Sequence, residues 1–428
     1  MPITTDMPLA IHGGPKAIPD TAAHEDLFRW PIVTDEDIEA VVDVLRAGTM
    51  SGIDVAQKFE AEFAQLLGVR HVLSYPNGTM AILAAMHAAG IRRGDEILCP
   101  SITYWASAMP AFSLGATVEF VDIDPKTLCI NPDDIERHIH PHTKAIIVVH
   151  YCGHPADMDT IVPLARKHGL KIIEDVSHAH GTLYKGRMTG TFGEVSAFSM
   201  MTSKSFPIGE GGVIATDSRE IYEGCIAFSH YLRHGSELTR PELQRLSGVP
   251  LGGVKGRLNQ TAAAMGRVQL RHYSRRCTEI RKAMNYFWDL LEGLPGLHPH
   301  RVNESSGSTM GGWYNPLGLY VPEDFGGLPV ATFIRAVEAE GGRPARGINF
   351  PLHLHPVFTE ADIYGDGRPT RQAFANRTIS QPLGSLPVAE GIGQRTMGVP
   401  LFKHYQPELI DRYAMAYRKV AMRAAELL

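Results

Sequence analysis

The chain has 428 residues and a formal net charge of −5, and 44% of its residues are hydrophobic while 20% are charged. This length is too great for one compact core of ordinary size, so we predict two domains, and the acidic balance argues against a nucleic-acid partner, which would favour a basic face. No apolar stretch reaches the roughly 18 to 20 residues that span a bilayer, so we expect no membrane partner either.

The first thirty residues contain several glycines and prolines, which interrupt regular structure. Helical spacing begins after Thr34, a residue that favours the N-cap position. One face of this first predicted helix carries Ile38, Val41, Val42 and Leu45. A second helix is predicted over residues 55–67, where Gly68 ends it.

Between residues 71 and 216, short apolar runs alternate with helical stretches. This alternation predicts a wound, mostly parallel sheet with helices on both faces. The predicted strands are 71–74, 96–99, 117–121, 145–150, 171–174, 195–199 and 212–216. The predicted helices between them are 78–89, 104–114, 132–139 and 158–168.

The alternation fades after residue 217, and helical periodicity then runs from 260 to 291. Beyond residue 297 the pattern indicates a smaller α+β domain with helices at 333–339 and 407–428. We therefore predict an N-terminal arm and large domain over residues 1–290 and a small C-terminal domain over 291–428.

The ends of the predicted strands carry the candidate functional residues, because ligands of wound sheets lie outside the carboxyl ends of the strands. Asn77-Gly78-Thr79 follows the first strand and opens a helix. Backbone N–H groups at a helix start, together with a threonine hydroxyl, can form an anion site. Because glycine has no side chain, it lets a phosphate approach the backbone closely. Simple turn chemistry gives the same pattern, so this segment alone leaves both readings open.

An aromatic side chain, Tyr104, follows the second strand. Its ring is suited to lie flat against a planar ligand and to shield it from water. A tyrosine in the core or at an interface is the alternative.

An acidic side chain, Asp175, ends the strand at 171–174. Burying a carboxylate is costly unless it meets a positive partner, and a pyridinium N–H is such a partner. An aspartate that caps the next helix is the alternative.

A lysine, Lys204, follows Ser199 and precedes the glycine-rich turn Gly209-Glu210-Gly211-Gly212. A nucleophilic lysine must be able to lose its proton, and a semi-buried site beside a cationic ring favours the neutral amine. Taken alone, a lysine in a loop is usually a solvated surface charge. The ordered set of anion site, aromatic, acid and lysine instead favours one cofactor site.

This ordered set resembles the DegT/DnrJ/EryC1/StrS family of sugar aminotransferases, which are pyridoxal-phosphate (PLP) enzymes of fold type I. The resemblance covers nearly the whole chain. It implies an α/β fold with a mostly parallel wound sheet in the large domain and a smaller C-terminal α+β domain. Further markers are Ser51-Gly52, Phe59-Glu60, Gly94-Asp95-Glu96, Glu174-Asp175, Pro351-Leu352-His353 and Val399-Pro400-Leu401-Phe402.

The resemblance also implies roles for individual residues. Lys204 would form the Schiff base and carry the proton, Asp175 would pair with the pyridine nitrogen, and His178 would lie beside the ring hydroxyl. Tyr104 would stack on the ring. The phosphate would be held by Gly78, Thr79 and Ser199. Some relatives have His at the lysine position and are dehydratases, so Lys204 favours transamination over dehydration. A non-catalytic regulatory relative is the third alternative.

In this family the active site lies between two subunits, which implies a homodimer with shared sites. The family pattern in the partner segment is roughly Gly-x-Asn-Tyr-Arg-Met, whereas this chain has Lys255 and Gly256 at the Asn and Tyr positions, followed by Arg257. Lys255 and Arg257 are suited to reach the phosphate or a substrate group. A solvated helix start is the alternative.

The resemblance implies that glutamine or glutamate donates the amino group and that a keto-sugar or keto-cyclitol accepts it by a ping-pong mechanism. The segment Leu9–Pro15 and the Lys255/Arg257 arrangement are more similar to the scyllo-inosose-type cyclitol branch than to the nucleotide-sugar branch. Whether Arg233, His234 or Arg346 form a recess for a nucleotide stays open at this point.

The five cysteines are scattered, and the chain has no C-x-x-C pair. We therefore expect reduced thiols, a cytoplasmic location and no metal site. The N-terminus has no basic segment followed by an apolar run, so we expect no secretory signal.

Overall fold

The computed structural model describes residues 4–428. Its strands, in chain order, are β1 (His71–Tyr75), β2 (Glu96–Pro100), β3 (Thr117–Val121), β4 (Thr143–Val149), β5 (Lys171–Asp175), β6 (Leu183–Tyr184), β7 (Arg187–Met188), β8 (Val195–Ser199), β9 (Gly212–Thr216), β10 (Leu297–Pro299), β11 (Leu317–Tyr320), β12 (Ala345–Arg346) and β13 (Thr396–Gly398).

The helices are α1 (Asp35–Ala47), α2 (Asp54–Leu67), α3 (Gly78–Ala88), α4 (Pro110–Ser113), α5 (Pro132–Ile135), α6 (Met158–Lys167), α7 (Arg219–Ser229), α8 (His234–Glu237), α9 (Pro241–Gln244), α10 (Gln260–Leu290), α11 (Val330–Ala339), α12 (Pro356–Thr359), α13 (Thr370–Ala373), α14 (Pro387–Gly391) and α15 (Pro407–Met422). Within residues 4–428, none of these is long and apolar enough to cross a bilayer.

The large sheet has seven strands in the order β1-β9-β8-β5-β4-β2-β3. The neighbouring pairs from β8 to β3 are parallel, whereas β9 runs antiparallel to both β1 and β8. All seven predicted strands are present, each within two residues of its predicted bounds. The sheet is buried on both faces, which explains why its strands are nearly continuous apolar runs. The predicted α/β class is confirmed.

The predicted helix over residues 104–114 is wrong. The chain forms a short 3-10 turn, Trp105–Ser107, and α-helix resumes only at α4. Pro110 explains the break, because proline has no N–H to donate and is tolerated only in the first helical turn. The predicted helix over 132–139 is likewise shorter, since α5 passes into a 3-10 turn at Glu136–His138.

The first predicted helix is present as α1, but its apolar face is not the buried one. Ile38 and Leu45 are 54% and 52% exposed, whereas Asp37 and Val44 are buried. Asp37 accepts a hydrogen bond from Gln269 of α10 at 2.7 Å, so a polar contact orients the helix. The monomer thus leaves apolar side chains of α1 in contact with water.

A second sheet, in the order β10-β11-β13-β12, is antiparallel. It packs with α11 and α15 over a separate core that contains Trp288, Phe333 and Tyr417. Residues Leu9 to Leu27 of the N-terminal arm join this second core rather than the core of the large sheet. The domain boundary after residue 290 stays a prediction.

Candidate active site

A cavity of about 400 Å³ opens at the carboxyl ends of the parallel strands. It lies where β1 passes into α3 and where β5 and β8 end, as the topology of a wound sheet requires. The predicted residues that line it are Gly78, Thr79, Tyr104, Asp175, His178, Ser199 and Lys204. Segments more than 120 residues apart in sequence therefore meet in one cavity.

The N-terminus of α3 forms part of the cavity wall. The Asn77 side chain accepts a hydrogen bond from the backbone N–H of Met80 at 2.8 Å and so caps this helix. A Cβ atom on Gly78 would lie 2.6 Å from the Cβ of Ser199, so only glycine permits this close approach. The Ser177 hydroxyl accepts the backbone N–H of Ser199 at 3.0 Å. Free N–H groups and hydroxyls at a helix start fit a phosphate.

Asp175 also lines the cavity and is 5% exposed. Its carboxylate accepts hydrogen bonds from the Ser107 hydroxyl at 2.6 Å and from the backbone N–H of Ser177 at 3.0 Å. No Lys, Arg or His forms an ion pair with it among the side chains that the structure describes, which do not include that of Arg346. A buried carboxylate without a cation is costly, so this site fits a ligand that brings its own positive N–H group.

His178 is buried beside the cavity. Its Nδ1 accepts the backbone N–H of Cys152 at 3.4 Å, which leaves Nε2 as the protonated nitrogen of the neutral ring. Burial and the nearby Lys204 lower the pKa of His178 well below its ordinary value. The neutral imidazole can therefore donate one hydrogen bond, as required beside the oxygen of a ring hydroxyl.

Lys204 is 7% exposed, and its Nζ lies 4.3 Å from the centroid of the Tyr314 ring. Its backbone is held on both sides, because its N–H donates to the Met201 carbonyl at 2.8 Å and its carbonyl accepts the Trp30 indole N–H at 2.8 Å. In the part of the chain that the structure describes, no carboxylate pairs with Nζ. This leaves the amine available as a nucleophile.

Tyr104 lies at the mouth of the cavity and is 48% exposed, with its ring 5.0 Å from that of Trp105. The core alternative for this tyrosine is therefore wrong, and its exposed ring is suited to stack on a ligand or to pack at an interface.

Lys255 and Arg257 do not reach this cavity within one chain. They line a separate shallow groove together with His230 and Arg233. Arg233 forms an ion pair with the buried Glu60, with its guanidinium 2.8 Å from the carboxylate. A role for Lys255 and Arg257 in the cavity therefore requires a second copy of the chain.

Several residues that line the cavity or support it were not predicted from the sequence. Ser177 lies two residues after Asp175 at a strand end, a position that could have drawn attention to it. Ser107 supports Asp175 from a 3-10 turn and has no sequence signal. Others come from the C-terminal half or from the glycine-rich turn, namely Tyr314, Asn315, Asn349 and Glu210.

Glu174, by contrast, has a structural role. Its carboxylate accepts hydrogen bonds from His150 at 3.0 Å and from three backbone N–H groups at 2.7 Å. These contacts satisfy the buried charge, so this acid fixes the loop after β7 rather than binding a ligand.

Comparison with known proteins agrees with this geometry. The DegT/DnrJ/EryC1/StrS aminotransferase family matches residues 31–392. The chain is 32% identical over 384 residues to an L-glutamine:2-deoxy-scyllo-inosose aminotransferase of Streptoalloteichus tenebrarius, covering 86% of this chain and 87% of the relative. It is 31% identical over 364 residues to the spore coat polysaccharide biosynthesis protein SpsC of Bacillus subtilis, covering 83% of this chain and 91% of that protein.

Among solved structures, an aminotransferase from Psychrobacter cryohalolentis superimposes with a TM-score of 0.81 at 26% sequence identity, covering 93% of this chain and all of that one. The resemblance seen in the sequence motifs is therefore confirmed along the chain and in three dimensions. The chain belongs to the DegT/DnrJ/EryC1/StrS aminotransferase family and is a PLP-dependent aminotransferase.

Proposed function

We propose that this aminotransferase moves an amino group from glutamine or glutamate to a free keto-cyclitol, with Lys204 as the lysine that binds PLP. The observation that carries this proposal is the shared cavity. Lys204 and Asp175 line it together, and neither has an ion-pair partner among the described side chains. A buried amine and a buried carboxylate without such partners suit a ligand that offers an aldehyde to the amine and a ring N–H to the carboxylate.

Each side chain then has a defined task. When bound, PLP supplies an electron sink for the carbon that loses its proton. The Nζ of Lys204 would take that proton and return it. Asp175 would keep a proton on the ring nitrogen, and Nε2 of His178 would donate to the ring hydroxyl oxygen. Tyr104 would cover the ring, and Gly78, Thr79 and Ser199 would hold the phosphate.

The polar lining of the open side supports a neutral polyol as the acceptor. Among the described side chains that line the cavity, Lys204 is the one cation. Asn315 and Asn349 are exposed at its edge, and the Asn349 side chain accepts the Tyr151 hydroxyl at 2.7 Å. Amide groups match the hydroxyls of a cyclitol, whereas a diphosphate calls for arginine or lysine. The similarity to an enzyme of 2-deoxy-scyllo-inosose adds support.

This acceptor proposal can be tested with the pyridoxamine-phosphate form of the enzyme. We expect free keto-cyclitols to return the absorbance from roughly 330 nm to about 400–430 nm, the bands of the two cofactor forms. We expect nucleotide-linked 3- and 4-ketosugars to react with a kcat/KM at least about tenfold lower, because no described cation other than Lys204 lines the cavity to bind their diphosphate. Rapid mixing with a panel of both classes measures this, and a faster reaction with the nucleotide-linked class would contradict the proposal.

We also propose that the enzyme is a cytoplasmic homodimer in which each chain completes the other chain's phosphate site. Apolar side chains lie exposed on the loop that precedes Lys255, with Val249 71% and Leu251 46% exposed. A second copy would cover this surface and bring Lys255 and Arg257 to the phosphate. Five free cysteines, four of them buried, suit a reducing compartment.

Hybrid dimers test the shared site. One chain carries Lys204→Ala and the other carries Lys255→Ala with Arg257→Ala, and two different affinity tags isolate the hybrid. In the hybrid, one of the two sites has all its groups, so we expect about half of the wild-type activity. Each parent homodimer, by comparison, has two defective sites. A hybrid no more active than its parents would mean that each site is built from one chain.

A further inference from the structure

The turn that follows Met310 carries one aromatic side chain into the catalytic cavity. The Tyr314 ring faces Lys204, with Nζ 4.3 Å from its centroid. The same ring lies 4.5 Å from the His178 ring, at an interplanar angle of 30°. Tyr314 thus contacts both of the side chains that the proposed function assigns to proton transfer and to the ring hydroxyl.

The backbone on both sides of Tyr314 adopts left-handed angles. Trp313 has φ of 49° and Asn315 has φ of 44°. Asparagine tolerates this region, whereas a bulky residue such as Trp313 is strained there, and strain of this kind is found mainly at functional sites. Here it turns the ring of the residue between them towards Lys204.

Surrounding contacts hold the strained conformation in place. The Trp313 side chain is 1% exposed, and the N–H of Gly312 donates to the His180 carbonyl at 3.2 Å. A Cβ on Gly311 would lie 2.3 Å from the same carbonyl, so the turn packs directly against the segment that carries His178. The ring of Tyr314 is therefore fixed relative to the lysine rather than placed by chance.

We propose that Tyr314 is a positioning residue, whose ring face holds the ammonium group of Lys204 once that amine has taken up a proton. A buried ammonium needs a partner, and in the described part of the chain no carboxylate supplies one. The face of an aromatic ring attracts a cation, and this attraction grows when water is excluded. Nζ then keeps its proton beside the reacting carbon. The inference rests on the proposed role of Lys204.

Two substitutions separate the ring face from the hydroxyl group. Tyr314→Phe keeps the ring and removes the hydroxyl, whereas Tyr314→Leu removes the ring. If the ring face holds the ammonium, the Phe variant should behave like the wild type and the Leu variant should not. Should the Leu variant fail to fold, as judged by its melting temperature, Tyr314→Met takes its place, since methionine is also apolar but has no ring face.

The experiment measures how fast an acylating reagent labels Lys204 in the full-length protein freed of cofactor, as a function of pH. Mass spectrometry of peptides quantifies the label, and the exposed Lys144 serves as internal reference. We expect the Leu variant to reach its half-maximal rate at a pH lower by roughly 0.5 to 1.5 than the wild type, since losing the ring destabilises the ammonium. The Phe variant should keep the wild-type midpoint.

The pH midpoint and the plateau rate distinguish electrostatic stabilisation of the Lys204 ammonium from simple shielding of the amine from the reagent. A change in access to the amine alters the plateau rate and leaves the midpoint where it was. Identical midpoints in the wild-type and Leu proteins would overturn the proposal, and so would a Phe variant that behaves like the Leu variant. The labelling needs neither amino donor nor acceptor, so its outcome is independent of whether the proposed cyclitol amination is right.

Discussion

Lys204→Ala should abolish transamination, with turnover lower by at least about 10³-fold, because the variant loses both the nucleophile and the group that moves the proton. Among the described side chains that line the cavity, no other amine is available to substitute for it. The absorbance band near 400–430 nm should also be lost, since free PLP is not bonded to the protein. Spectra recorded before and after addition of glutamine measure both effects.

The fold should survive this substitution. Lys204 makes no ion pair within residues 4–428. Its backbone carbonyl accepts the Trp30 indole N–H and its backbone N–H donates to the Met201 carbonyl, and neither hydrogen bond depends on the lysine side chain. Its melting temperature should therefore stay close to that of the wild type. Lys144→Ala, at an exposed position, is the matched control and should keep full activity. Normal turnover in Lys204→Ala would refute the assignment of the catalytic lysine.

The sheet could be predicted closely because its strands are short apolar runs separated by helical patterns. Since parallel strands end at one edge, the residues that follow them had to lie near one another. Gly78, Asp175 and Ser199 are such residues, and all three line the cavity. Topology thus brought together positions that no local pattern connects.

Other parts of the site depend on tertiary structure and could not be predicted. Tyr314 lies beside Trp313, whose left-handed backbone angle is one that a bulky residue disfavours. Ser107 supports Asp175 from a turn that ends before α4 begins at Pro110, where periodicity alone predicted continuous helix. In both cases packing outweighs local preference.

The position of Lys255 and Arg257 shows a third kind of limit. They line a groove outside the cavity. In the same chain, α1 and the loop over residues 246–251 expose apolar side chains to water. A site built from two copies cannot be read from the folded monomer alone, so the proposed contribution of these cations depends on the hybrid-dimer experiment.

Asp175→Asn should slow the donor half-reaction by about 10²- to 10⁴-fold, the range typical of losing a group that controls proton transfer. The substitution is nearly isosteric, and the amide oxygen can still accept a hydrogen bond from Ser107 or from the Ser177 N–H. What it removes is the negative charge that keeps a proton on the ring nitrogen and so maintains the electron sink. Stopped-flow absorbance after mixing with the amino donor measures the rate, and equilibrium titration with PLP shows whether binding changes as well.

Glu174→Gln is the matched control for Asp175→Asn, because it removes a buried carboxylate from the adjacent position of the same strand. Burial alone would raise the pKa of Glu174. The hydrogen bonds from His150 and from the backbone N–H groups outweigh this effect and lower the pKa of Glu174 below its ordinary value. Glu174 therefore stabilises the fold in its charged form. We therefore expect Glu174→Gln to lower the melting temperature while the spectrum and half-reaction of the protein that remains folded stay near wild type. The opposite pattern, a stable Glu174 variant with a lost half-reaction and an active Asp175 variant, would mean that the ring nitrogen faces the other carboxylate.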